Sequence, residues 1–347
     1  MTGLERQVKI VISMSYQGIT KMQYGGKYMK LGLWIMVGGL ALLVGLPLLV
    51  GVEPAYAHEG LNRGQNPLTA WNTNPIPTLL PFLAAYLYVT GMERWHNPSY
   101  HIGFWQKVSF FSGLFAIFLA LQSPIDPLAD HLFSIHQVQH MLLRMIAPTL
   151  ILLGLPLTPI LRGLPPWMLQ GVVRPVVKSP NIRGVYRVLS HPALVILLFM
   201  GTLFLWQTSF LHNLALRNSE VHEVMHFSML VTGLRFWWMF IGPRPGRVRL
   251  HYGLRMLCLG LIVIPNTLLG AVITFSGSLL YEAYAEVEQP FNLSLMTDQQ
   301  LGGLLLWLPG DMMSIIAAGI LMVMWYQHEE AKDQLDVTSS EGEKIGA

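Results

Sequence analysis

The chain has 347 residues, of which 52% are hydrophobic and only 12% are charged, and its mean hydropathy is +0.46. Soluble domains carry about 25% charged residues, so this composition predicts a membrane protein that is embedded in the lipid bilayer. The net charge of +3 comes without a basic stripe, which argues against a nucleic acid as partner. The single cysteine, Cys258, excludes a disulfide within one chain and a CxxC metal site.

The first apolar run, residues 31–52, follows five basic residues and is followed by the small-x-small sequence Ala55-Tyr56-Ala57. This layout predicts a secretory signal in residues 1–57, with cleavage after Ala57. Because the run is longer than the apolar core of most signals, an uncleaved anchor is the alternative. Cleavage would make His58 the mature N-terminus, where its amine and imidazole could chelate copper together, and residues 58–74 would form an external arm.

Seven further apolar runs predict membrane helices, because about 20 apolar residues cross the hydrocarbon core of a bilayer. The predicted fold is an all-α polytopic membrane protein: a seven-helix transmembrane bundle over residues 75–328, preceded by the signal peptide or signal anchor. A loop at 161–190 connects two spans, and the charged tail at 329–347 is expected to be disordered and cytoplasmic. The runs lie at 75–92, 106–122, 137–160, 192–211, 221–241, 256–276 and 300–326.

The basic residues predict the orientation of these spans. Beyond residue 57, alternation of the spans places thirteen lysines and arginines in cytoplasmic segments and only two, Arg63 and Arg217, in external ones. Cytoplasmic loops of membrane proteins carry the excess of basic residues. The C-terminus is therefore expected in the cytoplasm.

Two histidine pairs lie at the predicted external ends of helices: His136 with His140, and His222 with His226. Each pair is spaced i, i+4, so its two rings stack on one helix face. If the two faces meet, four imidazoles surround one point, and imidazole binds zinc, copper, iron or nickel. Methionines continue near both faces. Further candidate site residues on this side are Asp130, His131, Asp298 and His58.

Three charged residues fall inside predicted spans, where charge is costly and usually paired. Arg235 and Asp311 both lie thirteen residues beyond an external residue of their helix, counted from His222 and Asp298. The helical rise puts both about 20 Å deep, which predicts an ion pair between them. Arg144 lies about 12 Å deep and is expected to face Asp130 or a bound anion.

Several strings resemble one family in sequence and in order. They are LTAWNTNPIPTLLPFLAAYLY, SPIDPLADHLFSIHQVQHMLL with APTLILLGLP after it, SHPAL, VHEVMHFSMLVTGLRFWW, and LYEAYAE with LMTDQQLGGLLLWLPG. Residues 58–328 resemble the CtaG-type membrane proteins that assist the assembly of caa-type cytochrome c oxidases. The resemblance implies a role in maturing the oxidase copper centre, and it points to His136, His140, His222, His226 and Asp298.

The chain departs from this family at two places. Gln207 stands where the family often has a histidine, so a ligand expected there is missing. Arg235 and Asp311 stand at positions that the family tends to fill with apolar or small residues.

These observations predict a non-enzymatic assembly factor in the bacterial inner membrane, which holds copper, as Cu(I), at its external face and passes it to a cytochrome c oxidase subunit. Asp130 and Asp298 are expected to orient the histidine ligands or to raise the local cation concentration. The alternatives are a b-type haem protein, a copper transporter and a structural scaffold for the oxidase. A homodimer that shares a site between two chains also remains open.

Overall fold

The computed structural model describes residues 75–95, 101–241 and 251–345, and all regular structure within these ranges is helical. The first predicted span, its cleavage site, His58 and the external arm lie outside the described residues. The helices are α1 (Pro75–Glu93), α2 (Phe104–Gln122), α3 (Ile125–Ala129), α4 (Phe133–Met141), α5 (Ala147–Leu153), α6 (Leu157–Gly163), α7 (Pro166–Met168), α8 (Arg174–Lys178), α9 (Pro180–Leu189), α10 (Pro192–Gln207), α11 (Ser209–Arg217), α12 (Ser219–Ile241), α13 (Tyr252–Thr274) and α14 (Leu295–Ile345).

Four described helices are long and apolar enough to cross a membrane: α2, α12, α13 and the Leu295–Gln327 part of α14. Two more spans result if each pair of helical segments that is joined at a bend counts as one span. The segment Phe133–Leu153 is bent by 77° against α6, and α9 is bent by 66° against α10. The protein is therefore a multi-pass membrane protein with four to six candidate spans among its described residues. The number of seven spans stays a prediction.

One face of α13 shows how these helices meet lipid. Leu257, Leu261, Ile264, Leu268 and Val272 are all exposed and recur every three or four residues. A soluble protein rarely exposes an apolar face of this size, whereas a helix in lipid requires one. The opposite side of α13 packs along α14.

The predicted span at 137–160 is not one straight helix. Residues Leu142–Ile146 form a π-helical turn between α4 and α5. Pro148 explains this turn, because it has no N–H to donate to the carbonyl of Arg144 four residues earlier. A second break follows at Leu155, which has a φ of 50°. The chain changes direction there, and Pro156 is the N-cap of α6.

The π turn is held by close packing of α12. A Cβ at Gly233 would lie 2.4 Å from the carbonyl oxygen of Arg144, so only glycine fits. Phe236, one turn further along α12, stacks on Phe199 of α10 with ring centroids 3.8 Å apart. These contacts join the π-helical turn, α10 and α12.

We expect Gly233→Ala to destabilise the fold by about 1–3 kcal/mol, because the added methyl overpacks against backbone that cannot retreat. Gly201→Ala on α10 is the matched control, since a Cβ there meets no atom within 4 Å of the described structure. Helix propensity alone favours alanine over glycine by about 1 kcal/mol, so the control should be neutral or slightly stabilised. Unfolding of both variants in detergent, followed by circular dichroism, measures the difference; equal stability of the two would contradict the packing.

The last helix, α14, departs from the expected disordered tail. It continues past Gln327 through Ile345. Glutamate, alanine, lysine and glutamine in this segment are good helix formers, and extending an existing helix avoids the cost of nucleation. Near the start of α14, Gly302 lies against the ring of Phe133, and Gly303 lies against Thr274 and the Gly270 carbonyl. Gly302 and Gly303 therefore allow close packing of α14 against its neighbours.

Candidate metal centre

Helix α4, which carries His136 and His140, is fixed at its N-terminus by Asp298 of α14. The Asp298 carboxylate accepts hydrogen bonds from the backbone N–H groups of Phe133 at 2.6 Å and Ser134 at 3.1 Å, and from the Ser134 hydroxyl. The first N–H groups of a helix have no partner within it, so this distant carboxylate acts as the cap. Both carboxylate oxygens are engaged in this way. Asp298 therefore positions the helix and does not contact the histidine rings through these bonds.

The two histidine pairs face each other, as the sequence predicts. One ring nitrogen from each of His136, His140 and His226 lies within 4.8 Å of the other two, and all three side chains are buried. The ring centroids of His140 and His226 are 5.5 Å apart, and those of His136 and His226 are 5.7 Å apart. Trigonal nitrogen ligands at about 2.0 Å from a metal lie about 3.5 Å apart, so small rotations of these side chains suffice to bring the three nitrogens to ligand distance. We call these three residues the histidine cluster.

His222 lies beside the histidine cluster and outside it. Its ring centroid is 4.3 Å from that of His226 and 5.0 Å from that of His136. Its Nδ1 is turned to Asp130, whose Oδ1 lies 3.8 Å away, too far for a hydrogen bond. Asp130 is thus a neighbour of His222.

His131 is directed away from the cluster. Its Nδ1 lies 2.8 Å from the carbonyl oxygen of Glu288, and its own carbonyl accepts a hydrogen bond from Gln289. These bonds attach the start of α4 to the loop before α14. They give His131 a structural contact, and its expected role as a ligand stays a prediction.

Two residues that the sequence analysis did not select, His212 and Tyr284, adjoin the cluster. His212 of α11 is fully buried, and its ring centroid lies 4.9 Å from that of His136. Burial lowers the pKa of His212 to about 4, so its ring is neutral at physiological pH. Tyr284 lies in the 3₁₀ turn Glu282–Ala285, and burial raises the pKa of its phenol well above the usual value, so the hydroxyl keeps its proton.

The hydroxyl oxygen of Tyr284 lies 2.8 Å from Nδ1 of His136 and 3.2 Å from Nε2 of His212. This tyrosine lies in the string LYEAYAE, which is one of the strings that carry the family resemblance. Nothing in the string shows that one of its two tyrosines reaches a histidine 148 positions earlier.

Gln207, where the resemblance leads one to expect a histidine, belongs to a polar network beside the cluster. Its amide nitrogen donates to Gln137 at 2.7 Å, and its backbone carbonyl accepts from Tyr281 at 3.0 Å. The methionines of α12 do not belong to the histidine cluster either, since Met225 and Met229 pack with Trp206 in a separate apolar cluster. Neither group adds a ligand to the three imidazoles.

A cavity of about 40 Å³ lies next to the cluster, with His140, Met141, Arg144 and Asp311 among its lining residues. This volume accommodates roughly two or three water molecules. Arg144 donates to the carbonyl oxygen of Phe199 at 2.7 Å, and its guanidinium lies over the Phe199 ring at 3.7 Å. Arg144 therefore contacts α10 and not Asp130, and the alternative that it faces a bound anion stays a prediction.

The predicted ion pair between Arg235 and Asp311 is wrong. Asp311 accepts hydrogen bonds from Asn266 and Thr267 of α13, whereas the guanidinium of Arg235 lies 5.8 Å from the ring centroid of Tyr186 on α9. The two residues share a depth, but their helices turn them toward different neighbours. Equal depth along two helices says nothing about the direction of the side chains around each axis.

Comparison with known proteins identifies the family. The model described as "Cytochrome c oxidase caa3 assembly factor (Caa3_CtaG)" matches residues 84–328, more than half of the chain. The chain belongs to the Caa3_CtaG family. The description of this family is that of assembly factors for the caa3 cytochrome c oxidase, and the candidate spans of the chain agree with a membrane protein. The matched residues include the histidine cluster, His212, Tyr284 and Asp298.

Two mycobacterial relatives are similar to this Caa3_CtaG chain. "Uncharacterized protein ML1998" of Mycobacterium leprae is 26% identical over 276 residues, which cover 75% of this chain and 40% of that protein. "Uncharacterized protein Mb0105" of Mycobacterium bovis is 28% identical over 274 residues, which cover 76% and 40%. The chain thus spans about 40% of the length of these curated relatives. No solved structure matches it.

Proposed function

We propose that this Caa3_CtaG protein binds copper at His136, His140 and His226 and delivers it to the copper centre of cytochrome c oxidase during assembly, without catalysing a reaction. The observation that carries the proposal is the convergence of three buried imidazole rings from two helices. A buried polar side chain normally finds a hydrogen-bond partner. Neither ring nitrogen of His140 hydrogen-bonds to any residue that the structure describes, which is typical of a side chain that awaits a ligand.

The donor set favours Cu(I) as the cargo. All three donors are imidazoles, which bind a metal in their neutral form, and no carboxylate belongs to the group of nitrogens that approach one another. The cost of burying an ion grows with the square of its charge, so a buried neutral set accepts a monovalent ion more readily than a divalent one. Imidazole is also a good ligand for copper. A three-coordinate copper ion keeps an open side at which a ligand of the oxidase can enter.

The neighbouring residues support this role in different ways. His222 lies close enough to the cluster to become a fourth ligand after rotation of its side chain, and Asp130 beside it attracts cations. Asp298 acts on the site by fixing the N-terminus of α4. His58 would join the copper path only as a mature N-terminus, which protein sequencing of the mature chain can test.

The close packing of the imidazoles disfavours a haem. Axial histidines of a haem stand on opposite faces of the porphyrin, so the macrocycle must fit between their rings. Here His136 and His140 have centroids 4.3 Å apart, and the His212 ring lies 4.9 Å from His136. A transporter is disfavoured by Arg144, whose buried positive charge lines the cavity that a cation leaving the cluster toward the cytoplasm would enter.

The orientation belongs to the same proposal. The cluster is placed at the external face of the bacterial inner membrane, and the C-terminus in the cytoplasm, because thirteen basic residues fall in the segments assigned to the cytoplasm. Delivery from this face requires contact with an oxidase subunit that carries the copper site. Co-purification with individual oxidase subunits, and size measurement in detergent for a homodimer, identify the partner.

The full-length protein, purified from cells grown with copper, should carry about one copper per chain and show no Soret band. Oxidase isolated from cells that carry a His140→Ala/His226→Ala double variant should contain its polypeptides but less copper, because the donor fails. Normal copper content in that oxidase would favour a scaffold, and a Soret band would favour the haem protein. Metal analysis by mass spectrometry and an absorption spectrum decide between these outcomes.

A further inference from the structure

A chain of polar contacts runs from the backbone of α10 to the histidine cluster. Nδ1 of His212 lies 3.1 Å from the carbonyl oxygen of Trp206, and Nε2 of His212 lies 3.2 Å from the hydroxyl of Tyr284. The same hydroxyl lies 2.8 Å from Nδ1 of His136. The side chains of His212, Tyr284 and His136 are all buried.

From this chain we propose that His212 and Tyr284 are positioning residues, which fix the tautomer of His136 so that its Nε2 offers a lone pair to the metal. The proposal rests on the proposed function, because it assigns a purpose to the relay at the same copper site. It adds two residues that do not themselves contact the metal.

The direction of each hydrogen bond follows from its fixed end. A backbone carbonyl can only accept, so the proton of a neutral His212 ring is on Nδ1, and Nε2 is an acceptor. The Tyr284 hydroxyl therefore donates its single proton to His212. Its oxygen then accepts from His136, which places the His136 proton on Nδ1.

The consequence falls on the other nitrogen of His136. With its proton on Nδ1, the neutral ring carries a lone pair on Nε2, and this nitrogen makes no hydrogen bond to any described residue. A metal-bound histidine usually donates its second N–H to a partner that orients the ring and selects the tautomer. Tyr284 is that partner for His136. Without it, the proton can move to Nε2 and block the ligand position.

The relay also explains why His212 is not a fourth ligand. Its ring lies as close to His136 as that of His222 does, with centroid distances of 4.9 Å and 5.0 Å. Both ring nitrogens of His212 are engaged, one with a carbonyl and the other with the phenol. Its role is to receive the Tyr284 proton.

The test compares Tyr284→Phe with Tyr281→Phe. Both tyrosines are buried and line the same aromatic group around Phe133, but the Tyr281 hydroxyl donates to the Gln207 carbonyl and not to a histidine. Loss of an orienting partner typically weakens metal binding 10- to 100-fold, so Cu(I) affinity, measured by competition with a chelator, should fall by about this factor for Tyr284→Phe only. Unchanged affinity in Tyr284→Phe would overturn the relay.

A second variant pair separates orientation from packing. His212→Gln keeps an acceptor oxygen for the Tyr284 hydroxyl and should retain most of the affinity, whereas His212→Leu removes the acceptor and should behave as Tyr284→Phe does. Equal loss in both, with equal loss of thermal stability, would show a packing role and overturn the proposal.

Nitrogen NMR of ¹⁵N-histidine-labelled, metal-free protein reads the tautomer directly. We expect the His136 signal to report a proton on Nδ1 in the wild type and a mixture of both tautomers in Tyr284→Phe. A proton on Nε2 in the wild type would overturn the relay. Because this experiment contains no metal, it is independent of copper binding: a protein that binds no copper but shows the Nδ1 tautomer would contradict the proposed function and leave the relay intact.

Discussion

His140→Ala should abolish retention of copper by the purified protein, with a loss of Cu(I) affinity of more than about 100-fold, or about 2.7 kcal/mol. His140 approaches both other members of the cluster, and removing it leaves two donors on different helices. Because its ring nitrogens make no hydrogen bond to described residues, the substitution breaks no polar contact of the described fold. The expected loss is therefore one of ligation.

The matched control is His101→Ala, since His101 is exposed and lies outside the cluster. Copper content after extensive dialysis and chelator competition should distinguish the two variants. His101→Ala should keep wild-type thermal stability in detergent, whereas His140→Ala leaves a cavity in place of a buried ring and should lose some stability. His140→Asn, which fills more of the space left by the ring, separates ligation from cavity formation. Full copper retention in His140→Ala would remove this residue from the site.

Asp298→Ala should destabilise the protein by about 2–4 kcal/mol, the second large effect that we expect. The substitution leaves two buried backbone N–H groups at the start of α4 and the Ser134 hydroxyl without their acceptor. Loss of a helix cap costs about 1 kcal/mol, and a buried donor left unsatisfied costs about 1–3 kcal/mol. The total of about 2–4 kcal/mol assumes one such donor, because the Ser134 hydroxyl can rotate to another acceptor and water can reach the second N–H. Copper affinity should fall as well, because His136 lies within the first turn of this helix.

Asp298→Asn retains one acceptor oxygen and should lose about half as much stability as Asp298→Ala. Glu288→Ala is the control, because that carboxylate belongs to the same acidic loop region but is exposed. Unfolding by SDS titration in mixed micelles gives the free-energy differences. Stability of Asp298→Ala within about 0.5 kcal/mol of the wild type would show that the cap is not important to the fold.

The sequence predicts much of the helical architecture and the facing of His140 and His226. An i, i+4 pair of histidines defines one helix face, and the distribution of basic residues predicts that both pairs lie on one side of the membrane. Helix periodicity and charge bias are local signals, so they can be read without a structure. The breaks of the chain at Pro148 and Pro156 are local as well, but an apolar run of constant hydropathy conceals them.

The remaining site residues depend on contacts that no local pattern encodes. The sequence makes Asp298 a candidate ligand. In the structure it caps a helix that starts 165 positions earlier. Tyr284 reaches His136 from a turn in another loop, and its role depends on the placement of one hydroxyl group. Arg235 and Asp311 failed as a pair for a related reason, because depth in the membrane fixes one coordinate of a side chain and leaves its direction open.

X-ray absorption at the copper edge, on the Cu(I)-loaded full-length protein in lipid nanodiscs, tests the proposed site most directly. We expect about three nitrogen neighbours at roughly 2.0 Å, with the outer-shell scattering of imidazole rings, and loss of this signal in His140→Ala. Copper bound mainly by sulfur, or the same imidazole signal in His140→Ala as in the wild type, would contradict the assignment of the cargo to the histidine cluster.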